Sequence, residues 1–275
     1  MAIQLTFPKG GALVAGGTGT VGGGVVEAMA RAGVPVLFTY LGGEGRDSEA
    51  KAAAMVERLS KGGAQVRCRQ MDMRDAASIE AAFDELEAWA GPVHNVVTAS
   101  GAPVPFAKLA DFTPEQVDAF MAGDALSYFR VFRVAVHRMR KSGGGSIACT
   151  STIDVGKLAL NNGCSGMSKG AVESMIRHIA AEEAEAGIRA NSVRICWVSD
   201  GSYADAESWM APADGKPPET YVEFASQVVR SHMAGIRLKR PCTTHEAGNV
   251  FAFLASDQAS FLTGQTVRLD GGEDL

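Results

Sequence analysis

The sequence predicts an α/β fold: a doubly wound parallel sheet of about seven strands flanked by helices, formed by residues 1–275 as a single domain. Three observations support this. Short apolar runs alternate with longer segments whose apolar residues recur every three or four positions, which is typical of βα units. The chain has 275 residues, 46% of them hydrophobic, enough for one large core. No internal repeat or linker divides it.

The predicted strands are short runs rich in apolar and β-branched residues. They cover residues 11–15, 34–39, 65–70, 94–98, 146–150, 189–195 and 266–269. The predicted helices lie between them, at residues 21–32, 48–61, 75–89, 113–141, 169–186 and 244–254. Thr113 followed by Pro114 places a capping residue and then a proline at the start of one helix.

One long segment, residues 198–232, has neither a helical nor a strand pattern. It mixes Asp, Ser, Gly and Pro with the aromatic residues Tyr203 and Trp209. A loop of this length in a compact domain is usually either a lid or disordered, and the aromatic residues favour a lid over the substrate.

Composition excludes several classes of function. The net charge is −5 and the chain has no Lys/Arg-rich block, so we expect no nucleic-acid partner. No apolar stretch is long enough to cross a membrane, and the first residues do not resemble a signal peptide. The five cysteines are scattered and lack metal-ligand spacing. We therefore expect a cytoplasmic protein without a metal site.

The first predicted strand leads directly into a glycine-rich turn, GGTGTVG at residues 16–22, and then into a helix. Glycines at these positions let the backbone turn tightly and approach a pyrophosphate at a helix N-terminus. Because the turn opens the first βα unit, it predicts a Rossmann-type dinucleotide site rather than an ordinary tight turn. The residues expected to bind the pyrophosphate are Gly16, Thr18, Gly19, Val21 and Gly22.

The end of the second strand bears on which dinucleotide binds. Sites that prefer NAD commonly have an acidic residue there, on the ribose hydroxyls. Here the strand ends near Tyr40, without an acid, and Arg46 follows a few residues later. We expect Tyr40 and Arg46 to contact the cofactor and favour NADP, with NAD still possible. The alternative for Arg46 is an ordinary solvated charge.

Over essentially the whole chain these residues resemble the short-chain dehydrogenase/reductase family. The resemblance rests on the glycine turn and on C-terminal motifs at residues 240–246, 253–257, 262–265 and 270–272. Asp72 and Met73 stand where the family contacts adenine, and Ser100 and Gly101 stand in its Asn-Asn-Ala-Gly motif. The resemblance implies an oxidoreductase with a small-molecule substrate. It also implies a homo-oligomer, tetramer or dimer, to which Phe129 and its apolar neighbours could contribute unless they belong to the core.

The catalytic positions depart from the family pattern. Lys169 matches the lysine of the family's Tyr-x-x-x-Lys motif, which binds the nicotinamide ribose and supplies positive charge. Ser165 stands at the tyrosine position and Asp124 at the asparagine position. The family's serine falls on Thr152 or on Ser151. A phenol can serve as a general acid near neutrality when a neighbouring ammonium lowers its pKa, whereas a serine hydroxyl is a much weaker acid.

The missing phenol leaves several ways to supply a proton. Tyr203 or Tyr221 from the predicted lid could replace it. The 2,4-dienoyl-CoA reductases are similar to this chain in having Ser-x-x-x-Lys, and their peroxisomal type has Asp where Asp124 stands. In such a reaction Ser165 would stabilise charge on a thioester oxygen. Asp124 would protonate carbon if burial favoured its neutral form.

Three functions therefore stay open from the sequence. The first is an NADP(H)-dependent oxidoreductase of a small apolar carbonyl or alcohol with a non-standard proton donor. The second is a conjugate reductase of enoyl or 2,4-dienoyl thioesters. The third is a catalytically silent dinucleotide-binding sensor or scaffold.

Overall fold

Seven strands form one sheet in the computed structural model, which describes residues 4–104, 106–200 and 234–275. They are β1 (Gly11–Ala15), β2 (Val36–Tyr40), β3 (Val66–Gln70), β4 (Val93–Thr98), β5 (Gly145–Thr152), β6 (Ile188–Ile195) and β7 (Thr266–Leu269). Their order across the sheet is β3-β2-β1-β4-β5-β6-β7, and every neighbouring pair is parallel. The strand order reverses between β1 and β4, and ligands of α/β proteins bind outside the carboxyl ends of strands at such a point.

Helices cover both faces of the sheet. They are α1 (Thr20–Arg31), α2 (Ser48–Lys61), α3 (Ala76–Ala90), α4 (Pro114–Gly123), α5 (Ala125–Ser142), α6 (Gly163–Glu182) and α7 (Thr244–Ala255). One buried apolar cluster joins α3, α5 and α6 to the sheet, and a second joins α1, α2 and α7 to the opposite face. The predicted fold class, a doubly wound parallel sheet of seven strands flanked by helices, is confirmed.

Two predicted helix boundaries are wrong. The segment predicted as one helix, 113–141, is two helices separated at Asp124, which ends α4 and precedes α5 with φ −111° and ψ −86°. The helix predicted to begin at residue 169 begins at Gly163, so Ser165 and Lys169 both lie on α6. Gly163 and the serines after it are weak helix formers in isolation, and burial of this turn against the core overrides that weakness.

Helices α1 and α7 cross with their backbones in contact. A Cβ atom added to Gly24 would overlap the carbonyl group of Thr244, and one added to Gly248 would overlap that of Gly24. At the start of α7, Thr243 and Glu246 form a capping box, in which each side chain accepts from the other's backbone N–H. The helix that follows the glycine turn is therefore packed directly on the C-terminal part of the chain.

Most of the predicted lid lies outside the described residues. Val198, at its start, is buried and pairs with Cys242 in an isolated parallel bridge. Residues 201–232 and both of their tyrosines are not described.

Within the part of the chain that the structure describes, no helix is long and apolar enough to span a membrane.

Candidate active site

A cleft of about 690 Å³ opens at the point where the strand order reverses. Its walls come from the glycine turn after β1, the end of β2, the segment after β4, the end of β5 and the first turns of α6. It has two ends, which we call the nucleotide end and the catalytic end. The nucleotide end comprises Gly16, Thr18, Gly19, Thr20, Val21, Tyr40, Leu41, Arg46 and Ser48, and the catalytic end comprises Ser100, Gly101, Asp124, Thr150, Ser151, Thr152, Ser165 and Lys169.

The glycine turn has a shape that side chains would prevent. Gly16 has a φ of +84°, and a Cβ there would lie 2.8 Å from the carbonyl oxygen of Ala99. A Cβ on Gly22 would overlap the carbonyl of Gly16. Gly16 therefore faces the cleft, whereas Gly22 acts from behind by allowing α1 to approach the turn.

The N-terminus of α1 is open toward a ligand. Its N-cap residue, Gly19, provides no side-chain hydrogen bond to the first turn, and Thr18 and Val21 line the cleft beside it. Backbone N–H groups at an uncapped helix N-terminus attract anions such as a pyrophosphate. The residues present thus fit a dinucleotide.

The far part of the nucleotide end contains a polar group that the sequence analysis missed. Tyr40 and Arg46, which are predicted to contact the cofactor, line the cleft, and Ser48 lies beside them as the first residue of α2. The Ser48 hydroxyl oxygen is buried and has no hydrogen-bond partner among the described residues. A buried hydroxyl without a partner, next to an arginine, fits a ligand group such as a ribose hydroxyl or a phosphate.

Besides Gly22, two predicted cofactor residues, Asp72 and Met73, lie outside the cleft wall. The Asp72 carboxylate accepts hydrogen bonds from Arg74, 2.9 Å from its Nε and 2.6 Å from its Nη2. Arg74 holds the pKa of Asp72 below its usual value. Met73 packs against the buried cluster of α3 and α5. The structure therefore gives both side chains intramolecular partners, and their contact with adenine stays a prediction.

Lys169 and Asp124 form a buried ion pair at the catalytic end. Lys169 Nζ donates to Asp124 Oδ1 at 2.7 Å, and Ser168 Oγ donates to Asp124 Oδ2 at 2.8 Å. The side chains of Lys169 and Asp124 are 10% and 3% exposed. Asp124 can reach the lysine because it lies at the break between α4 and α5, so its side chain points from a helix end into the cleft wall.

Tyr128, one turn into α5, is a second partner of Lys169 that sequence reasoning did not identify. Lys169 Nζ lies 4.1 Å from the centroid of the Tyr128 ring, and Tyr128 is fully buried. Burial raises the pKa of the Tyr128 phenol. Burial alone would lower the pKa of Lys169, but Tyr128 and Asp124 outweigh it and hold that pKa above its ordinary value. Lys169 is therefore a charged ammonium at neutral pH.

Hydroxyl groups of β5 direct their protons to protein acceptors. The Tyr128 hydroxyl donates to the carbonyl of Ser100, which can only accept, so Thr150 Oγ1 must donate to Tyr128 across their 2.8 Å contact. Thr152 Oγ1 donates to Asp154 Oδ2 at 3.2 Å. The Ser165 hydroxyl, in the cleft wall, has no hydrogen bond to another described residue.

Ser151, the alternative candidate for the family's serine, is occupied by a buried network. Its hydroxyl donates to Glu173 Oε1 at 2.6 Å. Arg194 holds the same carboxylate through Nε at 2.7 Å and Nη2 at 2.8 Å. This network fixes the Ser151 side chain. Of the two residues, Thr152 is therefore the better candidate for the position of the family's serine.

Comparisons with known proteins extend over nearly the whole chain. A family model described as Enoyl-(Acyl carrier protein) reductase matches residues 16–273. The glucose and ribitol dehydrogenase homolog of Oryza sativa subsp. japonica is 28% identical over 270 residues, 95% of this chain and 84% of that protein. The 1-cyclohexenylcarbonyl-CoA reductase of Streptomyces collinus is 28% identical over 262 residues, 94% of this chain and 85% of that protein.

A solved structure of a short-chain type dehydrogenase/reductase from Mycobacterium ulcerans has the same fold. It superposes with a TM-score of 0.83 at 24% identity, covering 98% of this chain and 91% of that one. The family match covers the glycine turn, the cleft and the C-terminal motifs together. The chain therefore belongs to the short-chain dehydrogenase/reductase family and is an NAD(P)-dependent oxidoreductase.

Proposed function

We propose that the chain is an NADP(H)-dependent oxidoreductase of a small apolar carbonyl or alcohol, without a tyrosine as its proton donor. Its catalytic group is Lys169, Ser165, Asp124 and Thr152. The observation that carries this proposal is the Lys169 ammonium, fixed 2.7 Å from Asp124 in the wall that also bears Ser165. A bound nicotinamide would supply or accept the hydride.

The side chains divide the remaining chemistry. The Lys169 charge stabilises negative charge that develops on the substrate oxygen during reduction. Ser165 donates the hydrogen bond to that oxygen and relays a proton from water, since the protons of Thr150 and Thr152 go to protein acceptors. Carbonyl, hydride and proton together give the alcohol. In the reverse direction Ser165 accepts the proton of the alcohol.

Asp124 serves this arrangement as an anion. Both of its oxygens accept hydrogen bonds, one from Lys169 and one from Ser168. A carboxylate so held keeps the Lys169 ammonium charged and in place. Thr152, whose hydroxyl donates to Asp154, forms part of the same cleft wall as Ser165.

NADP is the cofactor that the nucleotide end fits better. Arg46 would attract the additional phosphate of NADP, and the unpartnered hydroxyl of Ser48 supplies a donor beside it. No acidic residue of the described cleft wall stands at this end to bind ribose hydroxyls as NAD sites commonly do. NAD is the alternative that a direct comparison of the two cofactors tests.

Reduction of an enoyl or 2,4-dienoyl thioester is the second candidate. It is supported by the similarity to the Streptomyces collinus reductase. It is also supported by the chemistry of the cleft, because Tyr40, at the nucleotide end, is the one tyrosine of the described wall. In this reaction the hydride goes to carbon, and charge on the thioester oxygen needs hydrogen bonds from Ser165 rather than a strong acid.

A substrate panel distinguishes these functions. NADPH binding is measured by fluorescence, and NADPH oxidation is followed with ketones, enoyl-CoA and dienoyl-CoA compounds. Saturable turnover of ketones supports the first proposal, and turnover of the thioesters alone selects the second. Tight binding without turnover of any compound contradicts both and selects the silent dinucleotide-binding protein.

A point substitution tests the proposed donor. Ser165→Ala should lower kcat about 10- to 100-fold, as expected for loss of one donor to a developing charge, and leave the Kd for NADPH unchanged. Ser60→Ala is the matched control, because Ser60 is exposed near the end of α2 and does not line the cleft. Unchanged turnover in Ser165→Ala would exclude Ser165 as the donor.

We also propose a cytoplasmic homo-oligomer of this single domain. A groove of about 490 Å³ between α5 and α6 is lined by both apolar and charged residues, and Phe129, one of the apolar ones, is 50% exposed. A second copy seated on this groove would bury Phe129. Light scattering should then give a dimer or tetramer that Phe129→Asp dissociates, and a monomeric wild type would contradict the assembly.

A further inference from the structure

Tyr128 contacts the ammonium of Lys169 from a position that is sealed from solvent. The two groups are 4.1 Å apart, measured from Nζ to the ring centroid, and Tyr128 is 0% exposed. This is the geometry of a cation–π contact, in which the electron-rich face of the ring attracts the charge. A buried ammonium needs such partners, because the charge has lost most of its water.

The ring cannot move away from the lysine. Its hydroxyl is bound to the Ser100 carbonyl after β4 and to Thr150 of β5. Phe132, one turn further along α5, packs edge-on against it with the centroids 5.8 Å apart and the planes at 89°. Three elements of the fold therefore hold the ring face toward Lys169.

Tyr128 is not a relocated proton donor. Its single hydroxyl proton goes to the Ser100 carbonyl, and it has no exposed surface through which a substrate could reach it. The part of Tyr128 that lies under the Lys169 ammonium is its ring face.

We propose that Tyr128 is a positioning residue whose ring holds the Lys169 ammonium charged and fixed at the cleft wall, opposite Asp124. This inference rests on the place of Lys169 in the proposed site. The contact acts through the electron density of the ring. A core tyrosine that only filled space would act through its volume.

Amine reactivity of the cofactor-free protein tests the proposal without measuring activity. Limiting acetic anhydride at pH 8 acetylates only the neutral form of an amine, and peptide mass spectrometry gives the rate for Lys169 relative to exposed Lys61. Tyr128→Leu removes the ring and should raise this ratio about tenfold. Tyr128→Phe keeps the ring and should stay within about twofold of the wild type. Phe83→Leu, a matched packing control in the same buried cluster, should do the same.

A second comparison is independent of whether Tyr128→Leu folds. Phenylalanine and 3,4,5-trifluorophenylalanine incorporated at position 128 have nearly the same shape, but fluorine withdraws electron density from the ring face. The fluorinated protein should show an acetylation ratio about fivefold above the phenylalanine protein. Equal ratios in this pair, or a Phe83→Leu effect as large as that of Tyr128→Leu, would overturn the proposal.

The same labelling separates this inference from the proposed function. NADPH added to the wild type should slow acetylation of Lys169 if the lysine faces the cofactor. Missing protection would contradict the proposed site, while the ring dependence measured without cofactor would still decide the role of Tyr128.

Discussion

The two ends of the cleft are built from different parts of the chain. At the nucleotide end, the shape comes from the backbone, because Gly16 and Gly22 leave no room for side chains. At the catalytic end, the arrangement comes from side chains of separate elements, with Asp124 and Tyr128 both in contact with Lys169. A site shaped by the backbone tolerates few substitutions. At a site built from side-chain contacts, the residues around Lys169 can be replaced while Lys169 itself is kept.

The largest effect should come from the nucleotide end. Gly22→Ala puts a Cβ into the carbonyl of Gly16, which would force the turn open. We expect loss of NADPH binding by at least about 100-fold, measured by fluorescence titration. Gly23→Ala is the control, because its nearest neighbour would be the flexible end of Met55 at 3.4 Å. Comparable losses in both variants would mean that helix packing, and not the turn, limits binding.

Asp124→Asn tests the side-chain-built end. It removes the charge that compensates buried Lys169, so the free energy of unfolding should fall by about 3 kcal/mol in urea denaturation. Ser168→Ala removes the other hydrogen bond to Asp124 without changing charge and should cost about 1 kcal/mol. An Asp124→Asn variant as stable as the wild type would show that the pair is not a stabilising unit.

The ion pair of Lys169 and Asp124 also makes the free energy of unfolding depend on pH. The folded pKa of Lys169 is raised above its ordinary value of 10.5. The stability it contributes is therefore fully present below pH 10.5 and is lost as pH rises through the higher folded value. The difference between the wild type and Asp124→Asn should accordingly be constant between about pH 7 and pH 9.

Arg46→Ala should have a moderate effect restricted to one cofactor. If Arg46 binds the additional phosphate of NADP, KM for NADPH should rise about tenfold while KM for NADH stays unchanged. Arg58→Ala is a suitable control, since Arg58 lies on α2 as an exposed partner of Glu27. If KM for NADPH and KM for NADH rose by the same factor, Arg46 would not be the residue that binds the additional phosphate of NADP.

The smallest effect should come from Glu246, at the start of α7. Arg240 holds the pKa of Glu246 at about 2. Because that pKa is lowered, the stabilisation is present above the ordinary value of 4.5 and disappears as pH falls toward 2. Glu246→Gln should cost less than about 1 kcal/mol at pH 7, since the pair is largely exposed, and its cost should shrink as pH falls toward 2. Thermal unfolding of the wild type and of Glu246→Gln, at pH 7 and at low pH, measures this cost.

Much of the fold could be predicted because the signals are local. The strands are apolar runs between turn residues, and the glycine turn places the nucleotide end by sterics alone. Lys169 and Ser165 could be singled out through the resemblance to the family's Tyr-x-x-x-Lys motif. The start of α6 before them could not be predicted, because Gly163 and its serine neighbours are weak helix formers.

The partners at the catalytic end could not be predicted. The segment around Asp124 has continuous helical periodicity, so nothing in it indicates the break that turns its carboxylate toward Lys169. Tyr128 resembles an ordinary apolar position of α5, and its contact with the lysine depends on how α5 and α6 pack. Ser48 was missed for a similar reason, since a helix-start serine is usually a cap.

The crossing of α1 and α7 has a consequence for biosynthesis. The helix that follows the glycine turn packs against the backbone of α7, which lies far along the sequence, so a growing chain on the ribosome cannot complete this contact until α7 has emerged. Until then the apolar residues that α7 covers on this face of the sheet stay exposed. We therefore expect a nascent chain that stops short of α7 to bind the nucleotide poorly, although it already contains the glycine turn.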